Sequence, residues 1–257
     1  IVGIVASIIF AILLGIPTLR LRGDYLAIVT IGAAEIVRLL FTSQAWQPVT
    51  GSADGLSGFQ DSFRSVNPFP EGDYGFGPWQ YTENQLWVLV FGAIILALCA
   101  LLLWRLINSP WGRVIKGIRE DEDAVRALGK NVFAYKMQAL IVGGVFGGLA
   151  GIIYVLPSST NPGVFITSLT FFVWTALLLG GAATVFGPLL GALIFWVLQA
   201  FLGSFLPALV SVGLLGDFTS AQAGALRFVL VGVGLMLIVI FRPQGILGDK
   251  KELTFVK

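Results

Sequence analysis

Residues 109–131, SPWGRVIKGIREDEDAVRALGKN, decide how this chain is to be understood, because they form a charged island between two runs of hydrocarbon length. Upstream lies QLWVLVFGAIILALCALLLW (85–104) and downstream lies MQALIVGGVFGGLAGIIYVL (137–156). Each is about twenty residues, and at ~1.5 Å per helical residue that matches a bilayer core of roughly 30 Å. The island has a helix grammar of its own. Ser109 is a good N-cap, Pro110 fits the first helical position, and Gly129 is a natural stop. Val114, Ile115, Ile118, Val125 and Leu128 form an apolar stripe at helical spacing. Lys116 with Glu120, Arg119 with Asp123, and Glu122 with Arg126 are i,i+4 pairs, each contributing about 0.2–0.5 kcal/mol. A helix lying on lipid favours a basic polar face, whereas the acids Glu120, Asp121, Glu122 and Asp123 would be repelled by anionic headgroups. The pattern predicts a surface helix over 109–129 that docks on a protein, its stripe filling a groove on the partner.

Composition places the rest of the chain in the same setting. Of 257 residues, 56% are hydrophobic and 12% charged, about half the charge of a soluble domain. A net charge of +2 carries no nucleic-acid signature. Cys99 sits alone inside an apolar run, which excludes a disulfide framework and a thiol pair for metal. The chain has no histidine, so the commonest general base and metal ligand is missing. No catalytic residue and no metal ligand set is assigned. The start in the middle of an apolar run, without methionine or a basic leader, is taken as a truncation point.

Apolar runs lie near 1–17, 25–41, 85–107, 136–156, 169–186, 187–204 and 224–241, the fifth being either interrupted at Gly180 and Gly181 or continued through Phe186. Lipid offers backbone groups no water, so these spans are expected as helices, and none alternates like a barrel strand. The expectation is an all-α, polytopic transmembrane helical bundle forming one domain over 1–257, with one discontinuous helix. Arg105, Arg113, Lys116, Arg119, Arg126, Lys130 and Lys136 cluster at the island. Arg20 and Arg22 mark a second connection, and Arg242, Lys250, Lys251 and Lys257 mark the tail. The segment 42–84 carries Arg64 against Asp54, Asp61, Glu71, Asp73 and Glu83. By the positive-inside rule 108–135, the 18–24 connection and the tail are cytoplasmic, 42–84 is outside, and seven crossings satisfy every assignment. The glycines, prolines and aromatics of 42–84 suggest an ordered loop over helix ends, or a docking surface for an outside partner.

Within the spans, Gly143, Gly147 and Gly151, with Gly144 and Gly148, make overlapping small-xxx-small patterns that favour close helix approach. Gly180, Gly181 and Gly187 bracket a helix break, which is either a structural kink or part of a pathway. Glu35 and Arg38 stand out as charges inside a span. If the helix enters lipid near Tyr25, Glu35 lies about 15 Å deep, where a charge must face protein or water. Their i,i+3 spacing allows a mutual ion pair; the alternatives are a contact to a passing zwitterion, or a shallower helix that places both at the outer interface. Thr30, Gly32 and Glu35, with Gly180, Gly181 and Gly187, are the candidate pathway residues.

Five segments in order carry a family resemblance: PTLRLRGDYLAIVTIGAAEIVRLL (17–40), SADGLSG (52–58), SPWGRVIKGIREDEDAVRALGKNVFAYK (109–136), LLLGGAATVFGPLLGALI (177–194) and FRPQGILG (241–248). Together they resemble the branched-chain amino-acid permeases of ABC importers, in particular the larger of the two membrane subunits of such systems. The resemblance implies that the island is a cytoplasmic coupling helix docked into an ATPase, with Arg113, Ile115, Ile118, Glu120, Glu122, Val125, Leu128 and Gly129 at the contact. It implies a second permease subunit, cytoplasmic ATP-binding subunits, an outside solute-binding protein and a small amino-acid substrate, in the cytoplasmic membrane of a prokaryote. The nearest approach to a P-loop, AVRALGKN (124–131), lacks the first glycine and the Ser/Thr for magnesium. ATP and magnesium are therefore expected on the partner, with no cofactor in this chain. An ATP-independent secondary transporter or channel for a small solute is the competing class, since a sodium-coupled carrier can use backbone carbonyls.

Overall fold

The computed structural model describes residues 1–19, 21, 24–76, 79–182, 184–212, 219–242 and 244–248. The basic residues Arg20, Arg22, Lys250, Lys251 and Lys257 used for orientation lie outside the described residues. The chain packs as two compact units, Ile1–Thr167 and Ser168–Lys257, which are taken in turn. The first holds α1 (Val2–Thr18), α2 (Asp24–Thr42), the short helices α3 (Gln47–Thr50) and α4 (Asp61–Arg64), and the strands β1 (Asp73–Phe76) and β2 (Trp79–Thr82). It continues with α5 (Glu83–Asn108), α6 (Pro110–Glu120), α7 (Glu122–Ala127) and α8 (Val132–Val155). The second holds α9 (Thr167–Gly180), α10 (Gly187–Ser211) and α11 (Ser220–Phe241).

Every apolar run is helical, the fifth only as far as Gly180, where it is interrupted before α10, and among the described residues the architecture is all-α apart from one small hairpin. Five helices are long and apolar enough to cross a membrane: Tyr25–Thr42, Glu83–Asn108, Val132–Val155, Pro162–Gly180 and Gly187–Ser211. Val2–Thr18 and Gly224–Ile238 are shorter apolar helices. The run expected to stop at residue 204 continues to Ser211 with Pro207 inside the helix. Proline costs a soluble helix a hydrogen bond, but membrane helices tolerate it because neighbours re-satisfy the freed carbonyl.

In the first unit α1 and α8 run antiparallel through small residues. Gly3 faces Ile152, Ser7 faces Gly148, Ala11 faces Gly144, and Gly15 faces Leu140 and Met137. One series climbs as the other descends, so the helices touch along their length. A Cβ on Gly144 would stand 3.2 Å from that of Ala11, whereas Gly143 and Gly147 have nothing within 4 Å of theirs. The overlapping glycine pattern thus resolves into a stripe used against α1 and a stripe left open.

The 42–84 segment is an ordered cover. Thr50 Oγ1 donates to the Phe41 carbonyl at 2.9 Å and Ser52 Oγ to that of Thr42 at 2.6 Å. These hydroxyls satisfy carbonyls that the end of α2 leaves without helical partners. Gly55, at φ +76°, lies so close to the Thr160 carbonyl that no side chain fits, and Leu56 exchanges backbone hydrogen bonds with Thr160 at 2.7 and 3.0 Å. Phe63 stacks on Trp87 with centroids 5.4 Å apart and meets Phe91 edge-on at 5.1 Å, while Trp87 Nε1 donates to the Phe63 carbonyl. Thr82 and Gln85 form a reciprocal capping box at the start of α5. The hairpin pairs Tyr74 with Tyr81 and Phe76 with Trp79 in antiparallel register; strands of four residues are too short to show a period in sequence.

In the second unit α9 and α10 fold back on each other. Phe172 meets Phe195 at 5.8 Å. A Cβ on Gly191 would strike the Ala176 carbonyl, and one on Gly180 would strike the Gly187 backbone. Phe195, 1% exposed, centres a core with Ala176, Leu179 and Val231. The segment after α11 returns to close α9: the amides of Ile246 and Leu247 donate to the carbonyls of Leu179 and Gly180 at 3.0 and 2.9 Å. Replacing Gly144 with Leu is expected to lower the thermal stability of the detergent-solubilised chain, on the scale of ~1–3 kcal/mol for overpacking. Replacing Gly143 with Leu, on the open stripe, is expected to leave the melting temperature near the parent value. Equal shifts measured for the two variants would contradict the α1–α8 contact.

Candidate functional site

The island is helical, but in two pieces, which corrects the single helix expected over 109–129. Ser109 Oγ accepts from the Gly112 amide and Pro110 takes the first helical position. Gly112 presses against the Ile107 carbonyl, where no side chain fits. The break comes at Asp121, which is extended (φ −152°, ψ 104°) and caps α7 by accepting from the amides of Asp123 and Ala124, both at 2.9 Å. One of the four acids is therefore a cap rather than part of a charged helical face. Gly129, at φ +76°, ends the pair.

The break redirects the apolar stripe. Ile118 and Val125 are 8% and 9% exposed and pack with Val132 at the start of α8, flanked by Val114, Ile115 and Tyr135. The expectation that Ile118 and Val125 fill a groove on a partner is corrected: they form the island's own core. Polar bonds fix it further to α8. Trp111 Nε1 donates to Gln138 Oε1 at 2.8 Å, and Lys136 Nζ donates to Glu122 Oε2 at 2.5 Å. Arg126 reaches Glu122 and Asp123, both at 2.9 Å. Of the residues expected at a partner contact, Arg113, Glu120, Gly129 and the tip residue Leu128 are exposed, Leu128 at 79%.

The charges of α2 are placed as their spacing suggests. Arg38 donates to Glu35 through Nε at 3.0 Å and Nη2 at 2.5 Å, and Thr167 Oγ1 donates to the same carboxylate at 3.3 Å. Thr30 Oγ1 is engaged by the Leu26 and Ala27 carbonyls at 2.9 and 3.0 Å, and Gly32 is exposed with nothing near it. Gly180, Gly181 and Gly187 come together in the second unit, all buried. Their close backbone contacts with one another and with Gly245 and Gly248 account for them as a packing junction.

Two polar residues of the second unit escaped the sequence analysis. Arg227 lies within the run 224–241, and Gln199 within 187–204. Buried atoms of both, Arg227 Nε and Gln199 Oε1, have no hydrogen-bond partner. A lone cation in an apolar run was the available signal, masked by the run's high overall hydropathy. Among the described residues no group of three or more His, Cys, Asp or Glu is placed to hold a metal.

Comparison with known proteins agrees with this architecture. The family model for the branched-chain amino acid transport system permease component matches residues 1–241. The high-affinity branched-chain amino acid transport system permease protein LivM of Escherichia coli is 30% identical over 91% of this chain, which spans 53% of that relative's length. A probable LivM of Methanocaldococcus jannaschii is 28% identical, covering 99% of this chain and 67% of the relative. The autoinducer 2 import system permease protein LsrC of Yersinia pseudotuberculosis is 24% identical over 97% of this chain and 70% of its own length. No solved structure matches. With five membrane-length apolar helices and a family match along nearly all of its length, this multi-pass membrane protein belongs to the permease components of branched-chain amino-acid transport systems.

Proposed function

We propose that the chain is a membrane-spanning permease subunit of an ATP-driven importer, moving branched-chain or related hydrophobic amino acids across the cytoplasmic membrane of a prokaryote. The family match over residues 1–241 carries this reading. The choice of amino acid follows the LivM relatives, at 28–30% identity, over the autoinducer permease at 24%. In this reading the chain pairs with a second permease subunit and receives solute from an outside binding protein. It couples to cytoplasmic subunits that bind ATP and magnesium.

Coupling is assigned to α6 and α7, with the outward face as the contact. Leu128 would enter a pocket on the ATPase, flanked by Arg113 and Glu120, while Ile118 and Val125 hold the element's shape. Changing Leu128 to Asp removes little from the chain's own packing, because the side chain is already exposed. It puts a charge into the proposed contact, where losing a central apolar anchor costs roughly 2 kcal/mol or more. The variant is expected to insert normally, to lose co-purifying ATPase and to lose transport; Lys116→Gln is expected to do little. A Leu128→Asp complex that assembles and transports normally would favour an ATP-independent carrier.

Orientation is assigned from the same asymmetry of basic residues, with the island inside and 42–84 outside. Single cysteines at Ser57 and Asp121, in a Cys99-free background, are expected to react with an impermeant thiol reagent from opposite sides of sealed cells. Labelling of both from outside would reverse the assignment.

Glu35 and Arg38 are assigned a structural role, since each already has its charge partner in the other. Glu35→Gln leaves the guanidinium without a counter-charge inside a span, so the yield of folded protein is expected to fall. Adding Arg38→Gln is expected to recover part of that yield. A double variant as poor as the sum of the singles would point to an independent role for Glu35.

A further inference from the structure

The second unit contains a cation to which its described residues offer no carboxylate counter-charge. Arg227 lies in α11, eight residues past the cap Thr219, about 12 Å along the helix. Among the described residues of that unit there is no Asp or Glu. Arg227 Nε is buried without an acceptor, and the guanidinium carbon stands 4.9 Å from the centroid of Phe228. An aromatic face attracts the cation but offers no lone pair in the guanidinium plane. The guanidinium lies against α10 at Gly203, where a Cβ would come within 2.7 Å of Nη1, so the missing side chain makes its space.

One turn earlier on α10, on the same face, is Gln199. It is 6% exposed, and its Oε1 has no donor. An unpaired buried polar atom is costly, and an ionisable side chain within a span marks a functional site unless a partner neutralises it. Here an unmatched donor bearing positive charge and an unmatched acceptor stand a turn apart on two packed helices. The complement of that pair is a group carrying a carboxylate and an ammonium on neighbouring atoms. Arg38 differs in this respect, because Glu35 already occupies it and a solute carboxylate would have to displace that partner.

We propose that Arg227 and Gln199 form the subsite for the zwitterionic head of a transported α-amino acid. The guanidinium fork takes the carboxylate, and the Gln199 carboxamide oxygen accepts from the ammonium. Both atoms are closed off in this conformation, so loading requires α10 and α11 to part locally. The assignment rests on the amino-acid permease reading and adds to it the place where the head group is held. A site built from unmatched polar groups rejects analogues lacking either charge, since each would leave one group buried and unpaired.

The test uses the complete chain with its co-purifying subunits, reconstituted in neutral phosphatidylcholine liposomes and in liposomes containing phosphatidylglycerol. Uptake of radiolabelled leucine is measured, with leucinamide and 4-methylpentanoate as competitors lacking one charge each. The wild-type complex is expected to take up leucine, with neither analogue competing well. Arg227→Gln is expected to keep its co-purifying subunits while kcat/KM for leucine falls about 10- to 100-fold, the scale of one charged hydrogen-bonded contact. Arg227→Lys should recover part of the loss, keeping charge without the fork. Gln199→Leu should raise KM, and adding it to Arg227→Gln should cost less than its effect alone. Normal leucine uptake by Arg227→Gln overturns the subsite. Loss of a subunit from that variant overturns it in favour of a carboxylate on a neighbouring chain. A defect confined to phosphatidylglycerol liposomes overturns it in favour of a lipid headgroup. A wild-type complex that hydrolyses ATP but ignores leucine refutes the amino-acid reading itself, separately from any variant.

Discussion

Close approach of backbones at glycine is the constraint on which this structure depends. In lipid, apolar side chains gain nothing by leaving one hydrophobic medium for another, so helices associate through packing and polar contacts. The chain meets that requirement in two places. Gly144 and Gly148 bring α8 against α1, and Gly180, Gly187 and Gly191 bring α9 against α10. At the second place the backbone contacts leave no room for a Cβ, and the amides of Ile246 and Leu247 close the end of α9. The abundant apolar side chains mostly face outward, as Leu89, Leu98, Phe171 and Val197 do, each more than half exposed. In a soluble protein such a surface would be a liability, whereas in a bilayer it is the solvent-facing side.

The island follows different rules because its surface is charged. Its three-residue core of Ile118, Val125 and Val132 is a small hydrophobic cluster of the ordinary kind. A stripe on a helix shows that one face is buried and does not say against what. The sequence pattern of Val114 to Leu128 was correctly apolar and wrongly aimed, because Asp121 breaks the helix and folds the second half back. Asp121 looked like one acid among four; its capping role goes with an extended backbone that its residue type alone does not announce.

Much else was legible. Ser109, Pro110 and Gly129 mark the island's ends in the sequence and in the structure, because caps and left-handed stops depend on single residues. The apolar runs were legible for a different reason, since a long run placed in lipid must satisfy its backbone groups within itself as a helix. The Glu35–Arg38 pair followed from i,i+3 spacing, but Thr167 as a third member did not, since it is remote in sequence. Arg227 and Gln199 were missed because hydropathy averages over a window, and a single polar residue in a long apolar run disappears into the mean. Which of the overlapping glycine stripes meets α1 was likewise invisible, because both have the same spacing.

The bonds between island and span give the first unit a mechanical consequence. Trp111 with Gln138, Glu122 with Lys136, and Val132 inside the shared core attach α6 and α7 to the first turns of α8 at three points. Three separate attachments make the island and the base of α8 one packed piece, so a displacement of one would be felt by the other. The glycine contacts then tie α8 to α1 along its length, most closely where Gly144 and Gly148 meet the small residues Ala11 and Ser7. Close-packed interfaces of this kind shift between discrete arrangements instead of deforming smoothly. Within the first unit a displacement of the island would therefore be passed to α8 and through it to α1, which is the kind of joint the proposed coupling calls for.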